Sequence, residues 1–469
     1  MSEIPVVEVA PPASLRAQRQ VFFPQPDGSN VPYRVFSAQE VYDREQERIF
    51  RGPVWSFLGL EAEIPNVGDF KSTFIGDTPV VVTRTPEGLS CWVNRCAHRG
   101  AMVCREKRGN AASHTCVYHQ WSFAANGDLQ GVPFRRGQKG MVGMPKDFKP
   151  EEHNLHKLRV DSYKGLLFAT FSGETPPLPD YLGAEMRPWI DRIFHKPIVY
   201  LGCTRQYSKS NWKLYFENVK DPYHASLLHL FHTTFNIFRV GMKARSIPDA
   251  NHGLHSIITV TKPEVETDTA AAYSAQNIRS MDEGFALEDP TLLGQIKEFD
   301  EMTTNHIQPI FPQLVVQQIH NTLVARQLLA KGPSNFELVF HFFGYEDDTP
   351  ELRELRLLQS QTQGRLHILH QVIVARAGQG EHQLLKLAAL QTHLRKPYLG
   401  HRQARLQLLR QRFGLPGKGA RFQGLCGAVL AAAGHLLLRQ AELLPQQAAH
   451  DQSQHRHHET KQQQPSARA

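Results

Sequence analysis

Between residues 54 and 173, apolar residues come in short runs broken by turn signals, the pattern of half-buried strands rather than of amphipathic helices. Pro79-Val80-Val81-Val82-Thr83 and Leu89-Ser90-Cys91-Trp92-Val93 flank Pro86-Glu87-Gly88, which predicts a hairpin. Asn126-Gly127 predicts another tight turn, because both residues tolerate positive φ. Residues 165–171 read as a last buried strand. Ahead of this all-β unit, Ser37-Ala38-Gln39-Glu40 fits a capping box, and a helix running through Arg51 is expected to carry Val41, Tyr42, Ile49 and Phe50. Beyond about residue 180 the pattern mixes a helical stretch around 211–231 with strands at Ser256–Thr261, Leu314–Ile319, 323–329 and 336–343. The expected class is α+β.

With 469 residues, 41% apolar and 21% charged, the chain suffices for two or three domains and is not a disordered or collagen-like protein. A net charge of +8 suggests a nucleic-acid partner until the chain is divided. Residues 356–469 hold 16 Lys+Arg against 4 Asp+Glu, which leaves 37 against 41 in the first 355 residues. The folded-looking part is mildly acidic, so no nucleic-acid partner is expected. Six cysteines are too few for a disulfide scaffold. The start carries no basic-then-apolar leader, and the longest apolar stretch, 427–438, falls short of the ~20 residues that span a bilayer. A cytoplasmic protein with no membrane partner is the expectation. From about Arg356 the texture changes to 19 Gln and 10 His with few carboxylates and no clean periodicity. Residues 356–469 therefore read either as a disordered basic tail or as a stretch translated out of its original frame.

Cys96-Ala97-His98 and Cys116-Val117-Tyr118-His119 put two thiolates and two imidazoles on two loops of the β unit. Four such donors can close around one tetrahedral zinc. They can also hold two irons, both thiolates on one and both imidazoles on the other, which is the Rieske arrangement. Zinc motifs usually lead with two cysteines, so Cys-x-His favours the cluster. Cys91, Cys104, Cys203 and Cys426 match no ligand spacing and read as core or surface residues.

A second constellation is Asp221-Pro222-Tyr223-His224-Ala225-Ser226-Leu227-Leu228-His229. A ferrous site needs imidazoles and a carboxylate with open positions left for dioxygen. Helical spacing alone pairs His229 with His232. His224 and His229 lie about 140° apart on a regular helix and converge only if it is distorted. Both pairs stand at this level, and Asp221 also fits an N-cap ahead of Pro222.

Cys96-Ala97-His98-Arg99-Gly100 and Cys116-Val117-Tyr118-His119-Gln120-Trp121 resemble the Rieske signature of aromatic-ring-hydroxylating oxygenase large (α) subunits, a likeness that covers roughly residues 35–355. Asp221-x-x-His224-x₄-His229 resembles the same family's mononuclear-iron motif. Gly131-Val132-Pro133-Phe134-Arg135-Arg136-Gly137 and Gly143-Met144-Pro145-Lys146-Asp147-Phe148 are similar to the branch acting on ortho-substituted benzoates such as anthranilate, salicylate and ortho-halobenzoates. Gln120 departs from the family's usual Gly.

The resemblance implies a leader and helix at 1–50, an all-β Rieske [2Fe-2S] domain at 51–175 and a helix-grip-like catalytic domain, an antiparallel sheet with helices, at 176–355. It implies that Cys96, His98, Cys116 and His119 bind the cluster and that His224 and His229 bind Fe(2+). Asp221 would link a Rieske histidine of a neighbouring subunit to His224. It further implies hydroxylation of an aromatic carboxylate by O2, with electrons from NAD(P)H through a reductase and a ferredoxin. The implied assembly is α3 or α3β3 with small β subunits. Dioxygenation of anthranilate to a catechol is the expected reaction. Salicylate 5-hydroxylation is one alternative. The other is a Rieske electron-transfer protein inactive in hydroxylation, because the family's third iron ligand, an Asp in a Gly-Pro-Ala-Gly stretch, has no counterpart here. Asp347 or Asp348 could replace it only by a backbone rearrangement.

Overall fold

The computed structural model describes residues 31–360, apart from 251–252, 262–268, 279, 283, 285–286, 288–289 and 300–302. Ten strands follow the first helices: β1 (Ser56–Leu60), β2 (Asp69–Ile75), β3 (Thr78–Thr85), β4 (Gly88–Val93), β5 (Arg108–Asn110), β6 (Ser113–Thr115), β7 (Ser122–Ala124), β8 (Leu129–Gly131), β9 (Lys157–Tyr163) and β10 (Leu166–Thr170). They build an antiparallel sheet in the order β1-β10-β9-β4-β3-β2-β5 and a three-stranded sheet β6-β7-β8. The predicted hairpin is β3–β4, where Thr85 faces Gly88 and Pro86-Glu87 is the two-residue loop. Asn126-Gly127 turns β7 into β8. Gly127 sits there at φ 86°, and a Cβ would press on the Trp92 ring at 3.2 Å, so both the angle and the space call for glycine. Phe70, Val81, Trp92, Trp121, Phe123 and Leu129 form a core that also takes in Cys96 and Cys116.

The second half is one seven-stranded antiparallel sheet of β11 (Ile198–Ser208), β12 (Lys243–Pro248), β13 (Ser256–Thr261), β14 (Thr303–Ile310), β15 (Leu314–Ile319), β16 (Thr322–Ala330) and β17 (Phe336–Tyr345). Its order is β11-β17-β16-β15-β14-β13-β12. The four predicted strands all form. The three unpredicted ones are β11 and β12, which lie at the edges, β11 mostly half-buried and β12 mostly exposed, and β14, whose Pro309 and polar residues hide its alternation. One sheet face, with Val315, Val324, Leu328, Leu338, Phe340 and Phe342, packs with Trp212, Tyr215 and Phe216 of the helix Trp212–Asn218 and with Val219 just beyond it. The opposite face packs with the helices Leu178–Leu182 and Arg187–Ile193 and with Phe57 and Phe168 of the first sheet.

Near the start, helices Arg34–Ser37 and Gln39–Glu45 run into a π-helical turn, Gln46–Phe50. The predicted capping box does not form. The chain is already helical before Ser37, so its hydroxyl donates back to the Tyr33 carbonyl (3.1 Å), and Ala38 takes the N-cap position. Tyr42 and Phe50 are buried as expected, while Val41 and Ile49 are half-buried. Residues 350–360 are helical, so the described chain runs unbroken through the change of texture at Arg356. Arg356 is wholly buried and pairs with Asp348 and Glu298, and Gln359 donates to the Leu292 and Gly294 carbonyls. The remainder of the anomalous stretch, 361–469, lies outside the described residues, as do 1–30. Among the described residues no helix is long and apolar enough to cross a membrane.

Candidate functional site

Two loops of the β unit share one hydrogen-bonding plan. The Cys96 amide donates to the Ala101 carbonyl and the Gly100 amide returns to the Cys96 carbonyl, each at 2.8 Å. The Cys116 amide donates to the Trp121 carbonyl (2.8 Å) and the Gln120 amide returns to the Cys116 carbonyl (2.9 Å). Both loops close through a left-handed residue, Gly100 at φ 71° and Gln120 at φ 58°. The two thiols are buried and lie side by side, and burial, then the neighbouring Cys116, pushes the Cys96 thiol above its ordinary value. The His98 and His119 rings meet with centroids 4.5 Å apart. Desolvation, with His119 and Arg99 nearby, lowers His98 from its ordinary value, a direction that favours the neutral form that binds metal.

His98 Nδ1 is buried without a hydrogen-bond partner, which fits a ring nitrogen reserved for a metal. Thiols beside thiols and rings beside rings match the two-and-two division of a Rieske cluster. The Trp121 indole stacks on the His98 imidazole, centroids 4.9 Å apart and planes within 7°.

The second constellation hangs from the helix Trp212–Asn218, whose N-cap Asn211 accepts from the Lys213 amide. Asp221 Oδ1 accepts from the Tyr223 amide (2.7 Å), and its Oδ2 lies 3.2 Å from His224 Nδ1. With Nδ1–H donating to that carboxylate, the lone pair of His224 faces outward on Nε2. There it meets His229 Nε2 at 3.2 Å and the Asn218 amide at 3.2 Å. The helix distortion that the i,i+5 spacing demands is present. The chain is helical over Ala225–Leu228, breaks at His229 (ψ 79°), and resumes over Leu230–Thr234. His232 stacks edge-on to His229 with centroids 5.0 Å apart, so all three histidines cluster, but the Asp221 contact belongs to His224. Two imidazole nitrogens this close suit one shared cation. Among the described residues no group of three His, Cys, Asp or Glu side chains is set to hold one ion. Asp347 pairs with Lys196, and Asp348 is engaged by Arg356 and the Tyr345 amide.

The Rieske [2Fe-2S] domain family matches residues 54–146. The chain is 78% identical over 345 residues to the anthranilate 1,2-dioxygenase large subunit of Burkholderia cepacia, covering 73% of this chain and 81% of that one. It belongs to the large subunits of Rieske aromatic-ring-hydroxylating oxygenases. The large oxygenase component of salicylate 5-hydroxylase from Ralstonia sp. is 40% identical over 349 residues, 73% of this chain and 82% of that one. The fold agrees with crystalline naphthalene 1,2-dioxygenase from Rhodococcus sp. at a TM-score of 0.59, covering 74% of this chain and 83% of that one at 24% identity. The two cofactors of this terminal oxygenase are accordingly a Rieske [2Fe-2S] cluster and a mononuclear iron, with electrons supplied from NAD(P)H by partner components.

Sequence reasoning assigned no role to Trp121, which stacks on His98, or to Asn218, which meets His224 Nε2. Trp121 and Asn218 adjoin the motifs and carry no spacing signal of their own.

Proposed function

We propose that this chain is the catalytic subunit of a dioxygenase that converts anthranilate, or a closely similar ortho-substituted benzoate, to a catechol. The 78% identity to the anthranilate enzyme carries this reading. Cys96, His98, Cys116 and His119 hold the Rieske cluster, His224 and His229 hold the catalytic iron, and residues 51–175 and 176–355 are the two domains. When bound, the cluster stores one electron and the iron supplies open positions for O2. The protein's own groups do the positioning. Asp221 fixes the His224 tautomer. Its side chain is 45% exposed, which leaves it free to reach a Rieske histidine of a neighbouring subunit and offer a short coupling path. That path requires an α3 or α3β3 assembly with small β subunits. A ferredoxin and a reductase feed it, and a reducing cytoplasm keeps the four cluster ligands usable.

The test is turnover by purified protein with its redox partners. Anthranilate is expected to give catechol, and gentisate from salicylate as the preferred conversion would overturn the reading. A second reading, electron transfer without hydroxylation, is favoured by the want of a carboxylate as third ligand beside His224 and His229 among the described residues. Iron counting separates the two. Three irons per chain are expected for the dioxygenase, and two with a normal Rieske spectrum would select the electron-transfer protein.

A further inference from the structure

Arg326 lies in the middle of β16, whose other residues carry no charge, between Val315 of β15 and Phe340 of β17. It shares a face with Val324 and Leu328, the face covered by the helix Trp212–Asn218. Only 2% of the residue is exposed. Its Nη1 donates to the Tyr215 hydroxyl (2.8 Å), its guanidinium carbon stands 5.3 Å from the centre of the Phe340 ring, and its Nε is buried with no partner.

A buried cation is costly unless an anion and hydrogen bonds compensate it. Elsewhere that is done within the chain. Lys71 has Glu63, and Arg356 has Asp348 and Glu298. Among the described residues no carboxylate pairs with Arg326. The helix that holds it leads to the iron site. Tyr215 bonds Arg326, and Asn218, three residues on and thus on a neighbouring part of the same helix surface, bonds His224 Nε2. Phe340 and Phe342, stacked with centroids 6.1 Å apart, add an aromatic wall on the same sheet face.

We propose that Arg326 is the anchor that receives the carboxylate of the aromatic substrate. This rests on the aromatic-acid reading above and adds the residue that selects for the acid. The planar fork of Arg suits a carboxylate through two parallel N–H···O bonds, and Nε is one of the donors that such a pair uses. Tyr215, donated to by Nη1, orients the fork. The bound acid would thereby neutralise the cation and be held at one end of its ring.

The test uses the holoenzyme with its redox partners and compares anthranilate with its neutral amide. Arg326→Gln is expected to lower the preference for the acid over the amide by about 10²-fold, chiefly through KM, with the Rieske spectrum and iron content unchanged. Arg326→Lys should restore part of that preference, and Tyr215→Phe should raise KM for the acid a few-fold. If Arg326→Gln does not fold, the Lys and Phe variants decide the matter by the same ratio. An unchanged preference, or equal loss toward acid and amide, would overturn the anchor while leaving the activity reading intact. A fully iron-loaded wild-type protein that neither binds nor converts anthranilate, benzoate or salicylate would overturn the activity reading and the anchor together.

Discussion

Gln120 shows how much one side chain can tell. Its loop and the loop of Cys96 have the same hydrogen bonds, yet the left-handed position is Gly100 in one and Gln120 in the other. A Cβ at φ 58° is strained, and the Gln120 side chain, on the surface, reaches only the Val117 carbonyl at 3.5 Å. Gln120→Gly should therefore stabilise the protein by about 0.5–1 kcal/mol, the relief of strain less the extra chain entropy of glycine. Chemical denaturation of the cluster-loaded protein checks this, and a lower midpoint would refute it. At the same scale the cluster residues were legible because Cys-x-His and Cys-x-x-His are dense donor patterns. Arg326 was not legible, although a lone charge inside the buried strand β16 was there to be noticed. Its meaning depends on which face of the strand is covered.

At the scale of elements, the helix Trp212–Asn218 organises the iron end of the molecule. Its cap is Asn211, 4% exposed, which accepts from the Lys213 amide (3.0 Å) and donates to the Pro333 carbonyl (2.6 Å) in the β16–β17 connection. Glu45, from the helix Gln39–Glu45, holds the other side by accepting from the Trp212 indole (2.9 Å) and the Lys213 ammonium. Asn211→Ala removes a cap and a buried bond together, and should cost about 1–2 kcal/mol in urea unfolding. A change under a few tenths would mean the cap is idle. The 211–231 segment was legible as helical, but not its division. Local propensity continues through His229; beyond the break, the Thr233 hydroxyl of the resumed helix donates to the Ser280 carbonyl, 47 positions away in the chain, a contact no local pattern records.

At the scale of the whole molecule, the Rieske sheet is joined to the catalytic sheet through buried charge. Glu63, after β1, pairs with Lys71 of β2 and accepts from His341 Nδ1 of β17 (3.2 Å). Lys71 and His341 hold the Glu63 carboxyl far below the carboxylate range despite its burial. Glu63→Gln leaves Lys71 buried beside a neutral amide and should destabilise the fold by about 3 kcal/mol. Burial, then Lys71, pushes His341 down to about 4, so it is neutral when folded at pH values where the unfolded chain is still protonated. The unfolded state thus binds more protons between pH 6.5 and about 4. Stability is complete above that window and falls as pH drops through it, by about 1.4 kcal/mol per pH unit for this one group. His306, lowered to about 3 mainly by burial, extends the same trend. Urea titrations from pH 7 to 4.5 should give a slope that His341→Gln reduces by one proton. An unaltered slope would exclude His341 as its source.

Residue types and spacing alone pointed to the two-cysteine, two-histidine donor set of the β unit, its β character and the hairpin at Pro86-Glu87, and the motifs pointed to the family, because each is written in neighbouring residues. Tertiary structure alone decided that a broken helix turns His224 and His229 toward each other, that Arg326 is buried with no carboxylate partner among the described residues, and that Glu63 meets His341 across 278 positions of chain. Those facts depend on which surfaces exclude water from which groups, and burial by distant segments leaves no local mark in the order of amino acids.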